Sequence, residues 1–426
     1  MALYYDQAIY QLNPSIDISP ATQWFDANGW KIFDFQQQTW EAYLSSKSGL
    51  VNAPTGSGKT YSLIIPVLLE ALQKNEHKGL QLIWITPIRA LAKEICISSE
   101  RAIAALGLDW RVEIRSGDTT TTQRKKQWSH PPQILITTPE SIHVMLATKD
   151  NQPFFKGLKA VVVDEWHELV GSKRGVQTEL LLARFKFLFP ALRVWGISAT
   201  IGNMEEAIDV LHGAKSSEAI CIKANIQKKI EVTSVIPLSV EKYPWAGHLG
   251  IRMLHQVLPI IHQYKSTLIF TNTRAQCEIW YQQLLEADME LAGQIAMHHG
   301  SISKDLREWV EDALYDGRLK AVVCTSSLDL GVDFRPVEAI VQIGSPKGVA
   351  RFIQRAGRSG HQPGADSHIY FVPTHSLELI EAAALRTSIE NQELEERIPY
   401  LRSFDVLIQY LMTLAVAEGF RPEQVF

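Results

Sequence analysis

Apolar positions along this chain fall in short continuous runs more than in strict alternation. Runs lie at 82–85, 134–136, 160–163 and 194–197, and longer stretches with helical spacing, such as 90–106 and 176–187, separate them. Continuous apolar strands alternating with helices predict a parallel sheet covered on both faces. An earlier run, 50–53, is followed by an apolar-rich segment at 61–72. The pattern breaks between Gly202 and about Lys229, and a second series follows, with runs at 267–270, 294–297, 321–324, 339–343 and 368–372. The expectation is an α/β chain of two tandem parallel-sheet domains. Residues before about Trp24, with Pro14 and Pro20, read as an irregular lead-in. Near Leu394 the pattern changes again, and Phe404, Leu407, Ile408, Leu411, Leu414 and Ala415 have helical spacing. An amphipathic helix with little behind it cannot form a core. This helix is expected either to open a truncated further domain or to pack on the second sheet domain. The expected boundaries are 1–23 for the lead-in, then 24–220, 221–393 and 394–426.

Polar residues cluster just after the apolar runs. Examples are Thr86-Pro87-Ile88-Arg89, Thr137-Thr138-Pro139-Glu140, Asp164-Glu165-Trp166-His167 and Ser198-Ala199-Thr200. Ligands of open α/β sheets bind at the carboxyl ends of the strands, so these groups are expected in one crevice. The second series repeats the habit with Thr271-Asn272-Thr273-Arg274, His298-His299-Gly300-Ser301 and Thr325-Ser326-Ser327.

The most informative stretch follows the run at 50–53. It reads Ala53-Pro54-Thr55-Gly56-Ser57-Gly58-Lys59-Thr60. Strand, glycine loop and helix are the setting of a phosphate-binding P-loop. Glycine lets the backbone turn tightly and aim its N–H groups at phosphate oxygens, and the helix start adds partial positive charge. Lys59 would reach the β- and γ-phosphates of ATP, and Thr60 would ligate Mg²⁺. Ala53 stands where the usual pattern has its first glycine. Upstream, Gln36-Gln37-Gln38 offers an amide that could read an adenine edge. Gln36 is favoured, because its spacing to Trp40 suits a helix carrying Trp40 and Leu44 on its apolar side; a solvated helix start is the alternative.

Asp164 and Glu165 close the run at 160–163, where a P-loop enzyme holds its magnesium carboxylate. Asp164 is assigned to Mg²⁺ and Glu165 to the base that polarises the attacking water. His167 is read as a relay between nucleotide and second domain, with a histidine merely satisfied by a neighbour as the alternative. The second series has no glycine-rich phosphate loop but carries Gln354-Arg355-Ala356-Gly357-Arg358-Ser359-Gly360-His361. Arg355 and Arg358 are three apart, on one side of a helical turn. The planar guanidinium suits charge developing on a phosphate. One sheet is therefore expected to bind nucleotide and the other to act on it across a cleft.

Composition narrows the picture without changing it. The 426 residues suit two or three domains, and 46% apolar content suits a buried core in each. A formal net charge of −4 excludes a uniformly basic nucleic-acid binder, though not a groove with local donors. Cys96, Cys221, Cys277 and Cys324 are far apart, without metal or redox spacing, and read as reduced buried thiols. Met1 to Tyr10 lacks the pattern of a signal peptide, and no apolar run is long enough to span a bilayer.

Taken in order, Gln36, APTGSGKT, TPIRALA, TTPES, DEWH, SAT, IFTNTR, HHGS, TSSLDLGVD and QRAGRSGH resemble the motif set of superfamily 2 helicases. DEWHELVGSKRG and IGSPKGVARFIQRAGRSGH are similar to the large helicase-related group, and to its bacterial ligase-associated DExH-box branch. The resemblance implies two RecA-like domains forming an ATP-dependent DNA helicase motor. It implies 3′-to-5′ movement on single-stranded DNA, a role in DNA repair, and ATP with Mg²⁺. Ala53, Thr55, Gly56, Ser57, Gly58, Lys59 and Thr60 would hold the nucleotide with Gln36, Gly331 and Asp333. Ser198 and Thr200 would couple hydrolysis to domain closure. Arg358 matches the arginine finger, Arg355 would hold the interface, and Gln354 joins them in the catalytic set; His361 stands where many relatives have another arginine. A strand-binding track is implied over Thr86, Arg89, Thr138, Glu140 and Ser141, and over Thr273, Arg274, Gly300, Ser301 and Thr325. Residues from Phe404 to Phe426 resemble the start of a winged helix, cut short. The implied partners are single-stranded or tailed duplex DNA, with RNA or an RNA–DNA hybrid as the alternative, and DNA ligase or other repair proteins. The implied setting is a monomer in the bacterial cytoplasm. An RNA-remodelling ATPase and a nucleotide-switched clamp are the competing readings.

Overall fold

Val161, Val162 and Val163 sit mid-sheet with nothing exposed on either face. That is the signature of a parallel strand covered by helices on both sides. A computed structural model of the chain describes residues 3–4, 17–74, 78–199, 201–226, 229–236, 250–329, 337–359, 366–391 and 393–424. Among them the chain divides into two compact units. The first holds 1–54, 58–225 and 396–426; the second holds 226–395 with the loop 55–57.

The first unit is built on an eight-stranded sheet. Its strands are β1 (Leu3–Tyr4), β2 (Gly49–Asn52), β3 (Leu82–Ile85), β4 (Val112–Arg115), β5 (Ile134–Thr137), β6 (Ala160–Val163), β7 (Arg193–Ser198) and β8 (Ile220–Lys223). They lie in the order β1-β8-β2-β7-β6-β3-β5-β4, and every pairing is parallel. The second unit has a six-stranded sheet of β9 (Ile230–Ser234), β10 (Thr267–Phe270), β11 (Ile295–His298), β12 (Ala321–Cys324), β13 (Ala339–Ile343) and β14 (Ser367–Val372). Its order is β11-β12-β10-β13-β14-β9, again all parallel. Parallel strands put all their carboxyl ends on one edge of each sheet, where the polar clusters lie.

The apolar runs of the sequence became β2, β3, β5, β6, β7 and β10 to β14. The helices Arg89–Ala105 and Lys173–Leu188 formed between strands as expected. Three details differ. The lead-in is not irregular up to Trp24: a helix spans Ser19–Ala27, with Pro20 in its first turn, where a missing N–H costs nothing. Its Phe25 packs edge-on against Trp24, Trp30, Trp40 and Tyr61. The break between Gly202 and Lys229 is not a linker throughout. The helix Met204–His212 fills part of it, and β8 pairs with β2, so a boundary at 220/221 would cut a strand of the first sheet.

The third difference concerns the last helix, Phe404–Ala417, whose extent matches the expectation. It lies against the first unit, not the second. Val406, Tyr410 and Leu414 are its buried residues, and the Tyr410 ring meets His143 edge-on at 6.0 Å. Lys173 pairs with Asp405, and Gln177 Nε2 donates to Gln409 Oε1 at 3.2 Å. Phe404 and Ile408, counted in the expected apolar face, are exposed. Periodicity marks faces but does not name the surface that covers them.

One buried ion pair ties three elements of the first unit together. Arg193, at the start of β7, reaches Glu70 Oε2 at 2.5 Å and the Tyr43 carbonyl at 3.2 Å, and lies 4.0 Å over the Tyr43 ring. Burial pushes the Glu70 carboxyl up, but Arg193 and Lys74 pull it net below its ordinary value. Glu70→Gln leaves the guanidinium without its counter-charge and is expected to cost about 3 kcal/mol. A carboxylate lowered on folding adds stability that is complete above its unfolded value and lost as pH falls through its folded one. Denaturant midpoints at neutral and acidic pH test both points: the variant should lose stability at neutral pH and show a shallower decline with acid.

Candidate functional site

The phosphate-loop geometry of the first unit follows from its glycines. Gly56 and Gly58 have φ of +78° and +76°, a region L side chains avoid. A Cβ on Gly58 would also stand 2.9 Å from Gln36 Nε2. Past the loop, the helix Lys59–Lys74 begins, so Lys59 and Thr60 occupy its first turn. The Lys59 Nζ is buried and makes no hydrogen bond among the described residues. A buried ammonium without hydrogen bonds is costly. The site therefore has a place for an anionic group, and the phosphate of a nucleotide fits it.

Gln36 is singled out from its neighbours. Its Oε1 accepts the Phe33 N–H at 3.0 Å, capping the helix Asp34–Leu44, and its Nε2 donates to the Gly58 carbonyl at 3.0 Å. Gln37 is exposed, and among the described residues its side chain reaches only Glu41. Among the described residues, Gln36 is thus the one of the three whose side chain bonds to the loop.

Asp164 and Glu165 follow β6. Asp164 Oδ1 accepts the Glu165 N–H at 2.8 Å, and Oδ2 accepts Trp84 Nε1 at 3.2 Å. Burial pushes the Asp164 carboxyl well up, the like charge of Glu165 adds to it, and Lys59 opposes both. A cation beside it would relieve that strain, so the carboxyl suits Mg²⁺. Among the described residues no group of three or more His, Cys, Asp or Glu could cage a metal. Glu165 sits in the left-handed region, φ 47° and ψ 45°, an uncommon conformation for a residue with a side chain.

His167 is deeply placed, being 1% exposed. Its Nε2 faces Glu165 Oε2 at 3.4 Å and its Nδ1 lies 3.3 Å from Ser198 Oγ. Burial lowers its pKa, and Glu165 and Glu168 partly restore it. The imidazole therefore bridges Glu165 to Ser198 within the first unit. Asn52 Nδ2 ties the loop strand to the Ser198 and Ala199 carbonyls, each at 3.3 Å. Thr200 lies outside the described residues.

The expected strand-binding residues separate into two kinds. Thr86 is fully buried and its hydroxyl holds the turn at Ile88, so it offers no surface to a strand. Thr138 caps the helix Pro139–Leu146 through the Ser141 N–H. Glu140 is clamped by Arg174, which also donates to the Pro87 carbonyl. Arg89 starts its helix, and its side chain lies outside the described residues. In the second unit, Thr273 caps the helix Arg274–Ala287 through the Gln276 N–H, yet Thr273, Arg274, Gly300 and Ser301 are all exposed. Thr325 is half-buried, with its hydroxyl 3.4 Å from Ser327 Oγ.

The helix Val349–Ala356 of the second unit carries Gln354 and Arg355, both buried, and Arg358 follows it. Arg355 is committed inside its own unit. Its Nε and Nη2 donate to Asp329 at 2.7 and 3.2 Å, its Nη1 to Gln342 at 2.6 Å, and it lies 4.7 Å over the Phe270 ring. That geometry makes it a brace inside the second unit. Arg358 Nε donates to the Asp329 carbonyl at 3.2 Å. Gly331, Asp333 and His361 lie outside the described residues. Sequence reading missed Trp84, Asp329 and Gln342. Asp329 stands within the TSSLDLGVD stretch and could have been picked out; Trp84 and Gln342 lie inside strands and carry no such signal.

Two parallel sheets with polar carboxyl-end clusters, one bearing a glycine loop ahead of a helix, define a P-loop NTPase of two RecA-like domains. Residues 33–207 match the family model described as DEAD/DEAH box helicase. Residues 250–362 match Helicase conserved C-terminal domain, and 387–426 match Large helicase-related protein, winged helix domain. The chain belongs to the superfamily 2 helicases, in the large helicase-related group. It is 31% identical to ATP-dependent helicase Lhr-Core protein 2 of Thermococcus barophilus, over 97% of this chain and 50% of that protein. It is 30% identical to the Lhr helicase/probable uracil glycosylase of Mycolicibacterium smegmatis, over 90% of this chain and 28% of that one. The solved structure of Mycobacterium smegmatis helicase Lhr bound to ssDNA and AMP-PNP superposes with a TM-score of 0.83 at 30% identity, covering 94% of this chain and 53% of that one. The chain thus spans half or less of the length of these curated relatives.

The loop geometry yields a prediction. Gly58→Ala forces a side chain into left-handed backbone and against Gln36, at a cost of about 1–2 kcal/mol. Denaturation of the variant should show that loss, while Gly79→Ala, where φ is +74° but nothing crowds the added Cβ, should lose less.

Proposed function

We propose that this chain is the motor of an ATP-dependent DNA helicase, moving 3′ to 5′ along single-stranded DNA in the service of repair. The observation that carries the reading is the buried Lys59 Nζ, which makes no hydrogen bond among the described residues, behind Gly56 and Gly58. In this reading Lys59 and the loop from Ala53 to Thr60 hold the phosphates of ATP, with Thr55 and Ser57 as part of the cradle. Gln36 holds the loop closed at Gly58 and presents its amide edge to the base. Thr60 and Asp164 are the residues that would hold Mg²⁺, whose chemistry is to neutralise phosphate charge. Glu165 takes a proton from the attacking water. His167 passes the state of Glu165 to Ser198, which supports a coupling role for the stretch Ser198 to Thr200. Arg358 stabilises charge on the transferred phosphoryl group, and Arg355 with Gln354 braces it. Gly331 and Asp333 complete the nucleotide contacts.

The nucleic acid is held by groups that do not read sequence. In the second unit these are Thr273, Arg274, Gly300 and Ser301, with Thr325 beside them. In the first unit Arg89 and Ser141 remain, with Thr138 and Glu140 shaping the helix start rather than gripping. Phosphate contacts of this kind give affinity without base specificity. A cytoplasmic, monomeric protein working beside DNA ligase or other repair proteins completes the proposal, as the bacterial ligase-associated branch would require. No helix among the described residues is long and apolar enough to cross a membrane.

Three measurements test the reading. Lys59→Ala should weaken ATP binding and turnover together, whereas Glu165→Gln should spare binding and trap a nucleic-acid-bound form. Near-normal stimulated turnover in Glu165→Gln would remove it as the base. Arg358→Ala should lower turnover by about 10³-fold with ATP affinity little changed, and Arg358→Lys should not rescue, since it lacks the planar fork. ATPase stimulation by DNA and RNA of one sequence, across a salt series, separates the DNA motor from an RNA-remodelling enzyme. The DNA motor requires stronger stimulation by DNA, falling steeply with salt; DNA binding with hydrolysis too slow to do work indicates a clamp.

A further inference from the structure

The helix that carries Arg355 begins at Gly348, which has φ +133° and no side chain to cap it. The first-turn donors are taken instead by a carboxylate from far along the chain. Glu395 Oε1 accepts the Val349 N–H, and Oε2 accepts the Ala350 N–H at 2.9 Å. A Cβ at Gly348 would stand 2.8 Å from Glu395 Oε1, so the glycine makes room for this approach. Negative charge at a helix start also complements the helix dipole. The helix is eight residues long, barely two turns. Its far end is pinned by Arg355 on Asp329 and Gln342. A shift of the first turn therefore passes directly to the arginine end.

Two residues beyond Glu395 the chain is anchored in the first unit. The Arg397 N–H donates to Asn203 Oδ1 at 2.8 Å, and Asn203 Nδ2 returns a hydrogen bond to the Arg397 carbonyl at 3.1 Å. Asn203 precedes the helix Met204–His212, just after the Ser198 stretch. Only Glu396 separates the anchored residues.

We propose that Glu395 is a positioning residue for ATP hydrolysis, acting through the helix Val349–Ala356 on Arg358. The proposal rests on the reading of Arg358 as the group that stabilises phosphoryl charge. Both carboxylate oxygens are used as acceptors, so a glutamine turns an NH₂ toward a backbone donor and fails. An aspartate keeps both acceptors.

The test uses the whole chain with Glu395→Ala, Glu395→Gln, Glu395→Asp and Arg358→Ala, plus the Glu395→Ala/Arg358→Ala double variant. Nucleic-acid-stimulated kcat should fall roughly ten- to a hundredfold in Glu395→Ala and Glu395→Gln, with KM for ATP changed by less than about twofold. Glu395→Asp should recover most of the loss. In the Arg358→Ala background, Glu395→Ala should add nothing. Hydrogen exchange of the Val349 and Ala350 amides should quicken in Glu395→Ala, with the thermal midpoint nearly unchanged. Unchanged exchange or unchanged kcat in Glu395→Ala overturns the proposal, and so does an equal further loss in the Arg358→Ala background. Full turnover in Arg358→Ala, with quickened exchange in Glu395→Ala, instead sinks the arginine reading and leaves the cap standing.

Discussion

Charge buried at the carboxyl ends of β2, β6 and β7 is the constraint on which the first unit turns. Lys59 Nζ, Asp164, Glu165 and His167 are all withdrawn from water within one small region. Isolated buried charges are costly, and a protein keeps them only where each meets a partner or a ligand. Here the partners are a tryptophan N–H, a backbone N–H, a serine hydroxyl and one another. The parallel sheet makes this possible, because it brings strand ends from distant parts of the sequence onto one edge. The left-handed backbone at Glu165 belongs to the same account, as local strain held in place by a surround that over-determines it.

The second unit solves a related problem with opposite sign. Arg355 is a fully buried guanidinium, and Asp329, Gln342 and the Phe270 ring take up its donors and its face. Removing one partner of such a group costs more than the pair contributes, because the charge left behind cannot reach water. The short helix it closes is therefore stiff at one end. The carboxylate of Glu395 stiffens the other.

Much of this was legible beforehand. The runs at 82–85, 160–163, 267–270, 321–324 and 339–343 coincide with strands β3, β6, β10, β12 and β13, since a strand buried on both faces leaves an unbroken apolar signature. The glycine loop was legible because positive φ at Gly56 and Gly58 needs a residue type that spells itself in the sequence. Edge strands were not. β4 (Val112–Arg115) is only partly covered, and its mix of charge and branched residues carries no continuous run. β8, an inner strand of the first sheet, was lost in the break between Gly202 and Lys229, and β9, at the edge of the second sheet, begins just past that break; sequence pattern there does not say which sheet a strand will join.

The sequence by itself determined the class of fold, the identity of the phosphate loop and the order of the polar clusters, because local periodicity and backbone demands are written residue by residue. Tertiary structure alone decided which of three glutamines touches the loop and that Thr86 points into the protein. It alone showed that Arg355 is a brace and that the helix Phe404–Ala417 lies on the first unit. Each of these depends on which surface a side chain meets. Trp84 with Asp164 and Glu395 with Val349 are 80 and 46 residues apart. Contacts across such separations are set by how whole elements pack, and no local pattern in the chain encodes them.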